Sequence, residues 1–161
     1  MSITKSELDD WVGKPIGDLC QNNFTTPAQN HCAHFVGHAL GIQLGILCGD
    51  LGKKKVTRHT GASLRCNELY NALQWTGPWD ERPIHRADGM LIFVISASNM
   101  PDDVMQKVPE KHVGIHFAGQ VYHFSNSKHK VVFDPSVEAF HRKFKRSYNG
   151  GDISLYFGVA P

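Results

Sequence analysis

Cys32 opens an apolar, helix-like run, His31-Cys32-Ala33-His34-Phe35-Val36-Gly37-His38-Ala39-Leu40, and His112 opens a strand-like run, His112-Val113-Gly114-Ile115-His116-Phe117. A thiol at the first turn of a helix feels the positive end of the helix dipole, and a nearby imidazole can take its proton. Both effects favour the thiolate, which is the nucleophilic form. The pair therefore points to the chemistry of a cysteine hydrolase.

A helical wheel at about 100° per residue decides which imidazole can serve. Cys32, Phe35, Val36, Ala39 and Leu40 form one apolar stripe, expected to face a sheet. His31, His34 and His38 gather on the other side of the helix, where a solvated face is expected, so the base must come from elsewhere. If Ala118-Gly119 makes a two-residue turn, Phe117 pairs with Gln120, Ile115 with Tyr122, Gly114 with His123 and His112 with Ser125. His112, Gly114, His116, Val121, His123 and Ser125 then share one face. His112 and His123 become diagonal neighbours at roughly 7 Å, within reach of ring contact. Gly114 leaves room for a helix end to approach. The expected catalytic set is Cys32 as nucleophile, His112 as base and His123 as the group that orients it, with Ser125 or Asn126 as alternatives for the third role.

The elements that must position these groups read as α+β. A short helix from Ser6 to Trp11 is stopped by Gly13 and Pro15. The cysteine helix runs from about Cys32 to Gly41, and Ser63 is placed to cap a helix carrying Cys66, Leu69, Tyr70 and Leu73. Residues 74–89 read as a long loop, in which Trp75 and Trp79 either line a substrate cleft or pack beneath the loop. Strands are expected at Met90–Ile95, His112–Phe117, Gln120–Ser125, Val131–Phe133 and Ile153–Val159. Asp134-Pro135 fits a helix N-cap followed by proline, opening a helix to about Phe144. Helices first and antiparallel strands later describe one α+β domain over residues 1–161.

Size and charge exclude several other classes. A chain of 161 residues is large enough for a core without metals or disulfides. A net charge of +2 does not support a nucleic-acid partner, and Lys53-Lys54-Lys55 with Arg58 is the main basic cluster, suited at most to an anionic polymer. No stretch is long enough to span a membrane, and no secretory signal is read at the N-terminus, so synthesis in the cytoplasm is expected. The four cysteines show no CxxC spacing, and Cys20, Cys48 and Cys66 can form at most one disulfide. Among the ten histidines, His34 and His38 have the i, i+4 spacing of a helical metal pair. No glutamate follows His34 and nothing specifies a third ligand, so neither a metal nor another cofactor is expected.

The ordered segments resemble the papain-like cell-wall cysteine peptidases of the NlpC type and, more loosely, the CHAP amidases. His31-Cys32-Ala33-His34-Phe35-Val36 stands where those proteins have an Asp-Cys-Ser-x-Phe-Val-like segment. Asp88-Gly89-Met90-Leu91-Ile92-Phe93 matches a Gly-Asp-Leu-Val-Phe-Phe-like strand. His112-Val113-Gly114-Ile115-His116 matches His-Val-Gly-Ile-Tyr, and Tyr122-His123-Phe124-Ser125 matches Ile-His-Ala-Ser. The resemblance covers about residues 30–126. It departs where no aspartate precedes Cys32, where His34 replaces a small residue, and at the 96–111 insertion. The permuted lecithin:retinol acyltransferase-type enzymes share an Asn-Cys-x-His-Phe-like segment, but their histidine precedes the cysteine.

The resemblance implies a papain-like fold with the cysteine helix packed on a mostly antiparallel sheet. It implies hydrolysis of an amide bond in the peptidoglycan stem peptide, with the Cys32 N–H helping to hold the oxyanion. By analogy with type VI secretion amidase effectors, it implies delivery to the periplasm of a target cell and a cognate immunity protein in the producer. Two other readings stay open: a non-catalytic binding or immunity-type protein on a papain-like fold, and a cytosolic cysteine protease or deamidase.

Overall fold

The computed structural model describes residues 3–22, 24–50, 61–149 and 151–161. The basic cluster at Lys53–Lys55 and Arg58 lies outside the described residues. Helix α1 (Lys5–Trp11) starts with a capping box, in which Thr4 and Glu7 satisfy each other's backbone N–H groups. Helix α2 (Cys32–Leu40) ends at Gly41, whose φ of +66° is the left-handed geometry that glycine adopts without steric cost. Helix α3 (Cys66–Ala72) follows Arg65 and has no side-chain cap. Ser63, the expected cap, instead accepts the Leu44 N–H and donates to the Ile42 carbonyl, tying down the turn after α2.

The strands are β1 (Thr76–Pro78), β2 (Met90–Ser96), β3 (Lys111–Phe117), β4 (Gln120–Ser125), β5 (Lys130–Asp134) and β6 (Ile153–Gly158). They form one six-stranded sheet in the order β1-β6-β2-β3-β4-β5, with every neighbouring pair antiparallel. The mixed α+β architecture agrees with the sequence reading. Strand β1 was expected to be loop; its three residues include glycine and proline, and it holds an edge position beside β6. Helix α4 (Val137–Tyr148) starts later than expected. Its N-cap is Ser136, which accepts the Ala139 N–H, and Asp134 is the last residue of β5.

The sheet is covered on both faces, which explains why β2 is apolar without alternation. Val113 and Ile115 of β3 lie opposite Phe93 and Leu91, and this face packs under α1, α2 and α3 with Leu8, Phe35, Val36 and Tyr70. Phe35 and Val36 have no exposed surface, and burying a side chain of this kind stabilises by about 1.5–3 kcal/mol. The alternate β3 positions, His112 and Gly114, lie opposite Val94 and Ile92, on the face covered by Phe140 and Phe144 of α4. No helix among the described residues is long and apolar enough to cross a membrane.

The histidine side of α2 is not a solvated face. His31 and His34 are 1% and 0% exposed, with Phe24 edge-on to both rings at centroid distances of 5.2 and 5.5 Å. The helical wheel located the stripe correctly but could not reveal that Phe24, Cys20 and Cys48 lie against it.

Candidate active site

Ala118 and Gly119, with φ of +50° and +78°, form the two-residue turn that sets the β3–β4 register. Phe117 pairs with Gln120, His116 with Val121 and Ile115 with Tyr122. This register puts His112 and His123 on the α4 face, with His112 Nε2 3.0 Å from His123 Nδ1. The two rings meet edge to face, with centroids 5.0 Å apart at 87°. Gly114 is required here, but not for a helix end. A Cβ at this position would lie 2.8 Å from the Tyr122 carbonyl oxygen and 3.1 Å from His123 Cβ, so the glycine lets β4 approach.

The far side of His123 is held by a residue read from sequence only as a helix cap. His123 Nε2 lies 2.8 Å from Asp134 Oδ2, and Lys143 Nζ of α4 lies 2.7 Å from the other carboxylate oxygen. In β5, Val132 pairs with His123 and Asp134 with Val121, so strand alternation turns Asp134 toward the histidines. That alternation was present in Lys130-Val131-Val132-Phe133-Asp134 and could have exposed it. Ser125 and Asn126 do not take this third role. Ser125 Oγ bonds Ser127 Oγ, and Asn126 bonds Asn30 and the His31 N–H.

Burial sets the protonation of this chain of groups. It pushes the His112 imidazole well below its usual pKa, aided by His123 and Lys143 and opposed by Asp134. It also lowers His123, against the hydrogen bond and charge of Asp134. For Asp134 burial works upward, but the hydrogen bonds from His123 and Lys143 outweigh it and the carboxyl is lowered. An ionised Asp134 only accepts, so His123 carries its proton on Nε2 and leaves Nδ1 as an acceptor. His112 then donates from Nε2, which leaves its Nδ1 unprotonated. A neutral imidazole with an unprotonated Nδ1 can act as a general base.

Cys32 is the first residue of α2, as expected, and is 2% exposed. Its side chain belongs to the α2-side core, where the Val113 N–H is close enough to favour the thiolate. His112 alternates onto the α4 face of the same strand, and no contact between the thiol and the imidazole is shown among the described residues. Burial pushes the Cys32 thiol up, while the Val113 and Ala33 N–H groups and the Lys111 charge pull it down. The Cys32 N–H, expected to be free for an oxyanion, donates to Asn30 Oδ1 at 3.0 Å. Asn126 Nδ2 donates to the same oxygen at 3.0 Å.

A cleft of about 600 Å³ opens beside His112 and His123, lined also by Asn30, Asn126, Lys111 and Tyr148 among others, and Cys32 does not line it. Trp75 and Trp79 line other surfaces. Trp79 is buried against His116 and carries Arg82 over its ring at 4.5 Å, which is the packing alternative of the two expected.

A second cluster lies on the histidine side of α2. Ligand atoms of Cys20, His34, His38 and Cys48 all lie within 4.8 Å of one another. Burial, with the neighbouring His38 and His31, pushes His34 down to about 3, so its ring is neutral. The expectation of no metal rested on the lack of a third ligand, and here Cys20 and Cys48 stand beside the two histidines at positions that could provide a third and a fourth. All four cysteines are free thiols, and Cys48 lies beside Cys20.

No protein-family model, curated protein or solved structure gives a significant match to this chain.

Proposed function

We propose that this protein is a papain-like cysteine hydrolase that cleaves an amide bond in the peptidoglycan stem peptide. The observation that carries the reading is the chain from Asp134 through His123 to His112, which leaves His112 Nδ1 unprotonated on the strand against which α2, with Cys32 at its start, packs. The substrate class rests on the ordered resemblance of residues 30–126 to the NlpC-type enzymes. Delivery as an antibacterial effector, with a cognate immunity protein as partner, rests on that analogy alone.

In this mechanism the Cys32 thiol must turn to reach His112 Nδ1, which takes its proton, and the thiolate attacks the substrate carbonyl carbon. The oxyanion occupies the place now held by Asn30 Oδ1, where the Cys32 and Asn126 N–H groups already converge on one oxygen. Collapse breaks the C–N bond, and His112 gives its proton to the leaving amine. Water, deprotonated by His112, then attacks the thioester, and release of the acid restores the thiol. His123 and Asp134 hold the His112 tautomer throughout.

The test is to incubate the full chain with purified sacculi and analyse the muropeptides by mass spectrometry. Cleavage that is absent with Cys32→Ala supports the reading, and failure to cleave any sacculus overturns the substrate.

A second reading is favoured by one observation. The 2% exposure of Cys32 and the upward push of burial on its thiol are those of an inert core cysteine, as in a non-catalytic binding protein. Rapid iodoacetamide labelling of Cys32 at about pH 6, lost in His112→Ala, supports the hydrolase. A Cys32 that stays unlabelled in the folded protein supports the binding protein.

A further inference from the structure

Three of the six ligand–ligand distances in the cluster behind α2 match those of a tetrahedral coordination shell, and all six lie within 4.8 Å. A tetrahedral zinc ion with Zn–S of about 2.3 Å and Zn–N of about 2.0–2.1 Å has ligand–ligand edges of about 3.75 Å for S···S, about 3.3 Å for N···N and about 3.55 Å for S···N. Here Cys20 Sγ and Cys48 Sγ are 3.7 Å apart, His34 Nε2 and His38 Nε2 are 3.2 Å apart, and Cys48 Sγ and His38 Nε2 are 3.6 Å apart. A disulfide would require about 2.05 Å between the sulfurs.

We propose that Cys20, His34, His38 and Cys48 bind one zinc ion in a closed, tetrahedral Cys2His2 site that fastens α2 to the segments around residues 20 and 48.

The groups outside the four ligands favour the ligating forms. His31 Nε2 lies 2.8 Å from the Thr26 carbonyl oxygen, which only accepts, so His31 Nε2 carries hydrogen and its Nδ1 is an acceptor. His31 Nδ1 lies 3.0 Å from His34 Nδ1, so His34 must donate from Nδ1. Its Nε2 lone pair is thereby directed into the cluster. A backbone carbonyl that sets a ligand's tautomer through a relay is the kind of support that metal-binding histidines receive.

The sulfurs are supported in the same way. Asn22 N–H points at Cys20 Sγ at 3.4 Å, while Asn22 Nδ2 and Ala62 N–H reach Cys48 Sγ at 3.2 Å each. Three N–H donors directed at two sulfurs suit thiolates better than thiols. Gly61, with φ of +96°, lies against Cys48 Sγ, and a Cβ there would collide with the sulfur.

With four protein ligands and no open position, the metal is structural. His34 and His38 are on the helix that begins at Cys32, so the ion would fix the axial position of that helix against the sheet. Sequence alone hid the site because its ligands come from three separate segments and share no CxxC.

Zinc in the full-length protein, purified without chelators, is measured by inductively coupled plasma mass spectrometry. One zinc per chain is expected, and cobalt exchanged for zinc should give the intense visible bands of four-coordinate, thiolate-bound cobalt. His38→Ala and Cys48→Ser should lose the metal, whereas Cys66→Ser should keep it. If the ligand variants fail to fold, the cobalt spectrum and a thiol count on the denatured wild-type protein decide. Four free thiols with bound metal support the site. Absence of stoichiometric zinc after refolding with zinc, a Cys20–Cys48 disulfide, or equal zinc in wild type and folded Cys48→Ser would each overturn it.

Discussion

His112 Nε2 and His123 Nδ1 lie 3.0 Å apart, and the second ring is closed off by Asp134 Oδ2 at 2.8 Å from His123 Nε2. An ionised carboxylate at the end of this chain forces both donor hydrogens to point toward it, which frees His112 Nδ1. Asp134→Asn breaks that logic while keeping the shape. The amide can donate to His123 Nε2, which reverses both tautomers and puts the hydrogen on His112 Nδ1. A reversed tautomer costs on the order of 10⁴ in kcat when the triad logic applies. Steady-state kinetics on a stem peptide measure this, and an Asp134→Asn enzyme with near wild-type kcat would show that Asp134 does not set the base.

Asn126 is expected to matter to rate rather than to binding. Its Nδ2 and the Cys32 N–H converge on Asn30 Oδ1, both at 3.0 Å. Losing one donor to a developing oxyanion costs about 10²–10³ in kcat. Asn126→Ala should therefore lower kcat by that factor with little change in KM. Asn126 Oδ1 also accepts the His31 N–H, so the folded state of the variant is checked by circular dichroism alongside.

The legible part of this structure was what local periodicity controls. The Ala118-Gly119 turn and strict strand alternation set the β3–β4 register, and with it the His112–His123 contact, from local sequence. The stripe containing Cys32, Phe35 and Val36 was legible for the same reason. What failed depended on distant chain. Asp134 looks like a helix cap beside Pro135, and only the pairing of β5 with β4 turns its carboxylate to His123. Lys143 is invisible until α4 crosses that face. His31 and His34 look solvated because a wheel carries no knowledge of Phe24, Cys20 and Cys48.

Acid should destabilise this protein through the buried pair. Burial holds His112 well below and His123 below the usual 6.5, while both recover that value when the chain unfolds. Below that pH the unfolded chain binds more protons, so stability rises with pH in this window. The contribution is fully present above about 6.5 and is lost as pH falls toward the lowered native values. Asp134 of β5 and Lys143 of α4 face the pair, while Lys111 and Tyr148 line the adjoining cleft. Asp134 adds a further loss only at the acid end, where its lowered carboxyl protonates. Thermal unfolding between about pH 7 and pH 5 should therefore fall more steeply for wild type than for His112→Phe. Equal slopes would mean that His112 titrates alike in both states.

Gly114→Ala should separate the two histidines without altering either. The added Cβ would stand 2.8 Å from the Tyr122 carbonyl oxygen, 2.9 Å from Val121 Cγ1 and 3.1 Å from His123 Cβ. None of these is the end of a long flexible side chain. The backbone oxygen and His123 Cβ both belong to β4, so relief requires β4 to move away from β3. Overpacking of this kind costs about 1–3 kcal/mol. The same shift lengthens the 3.0 Å His112–His123 contact, because His123 moves with β4 while His112 stays stacked on Phe144 at a centroid distance of 4.5 Å. The variant should thus lose stability in urea and lose kcat together, and its imidazole proton resonances should lose the downfield shift of a ring-to-ring hydrogen bond. Ile115→Val, on the opposite face of the same strand, should cost about 0.5–1.5 kcal/mol and leave kcat unchanged. If the two variants lose activity only in proportion to their stability, the contact is packing and not part of the catalytic chain.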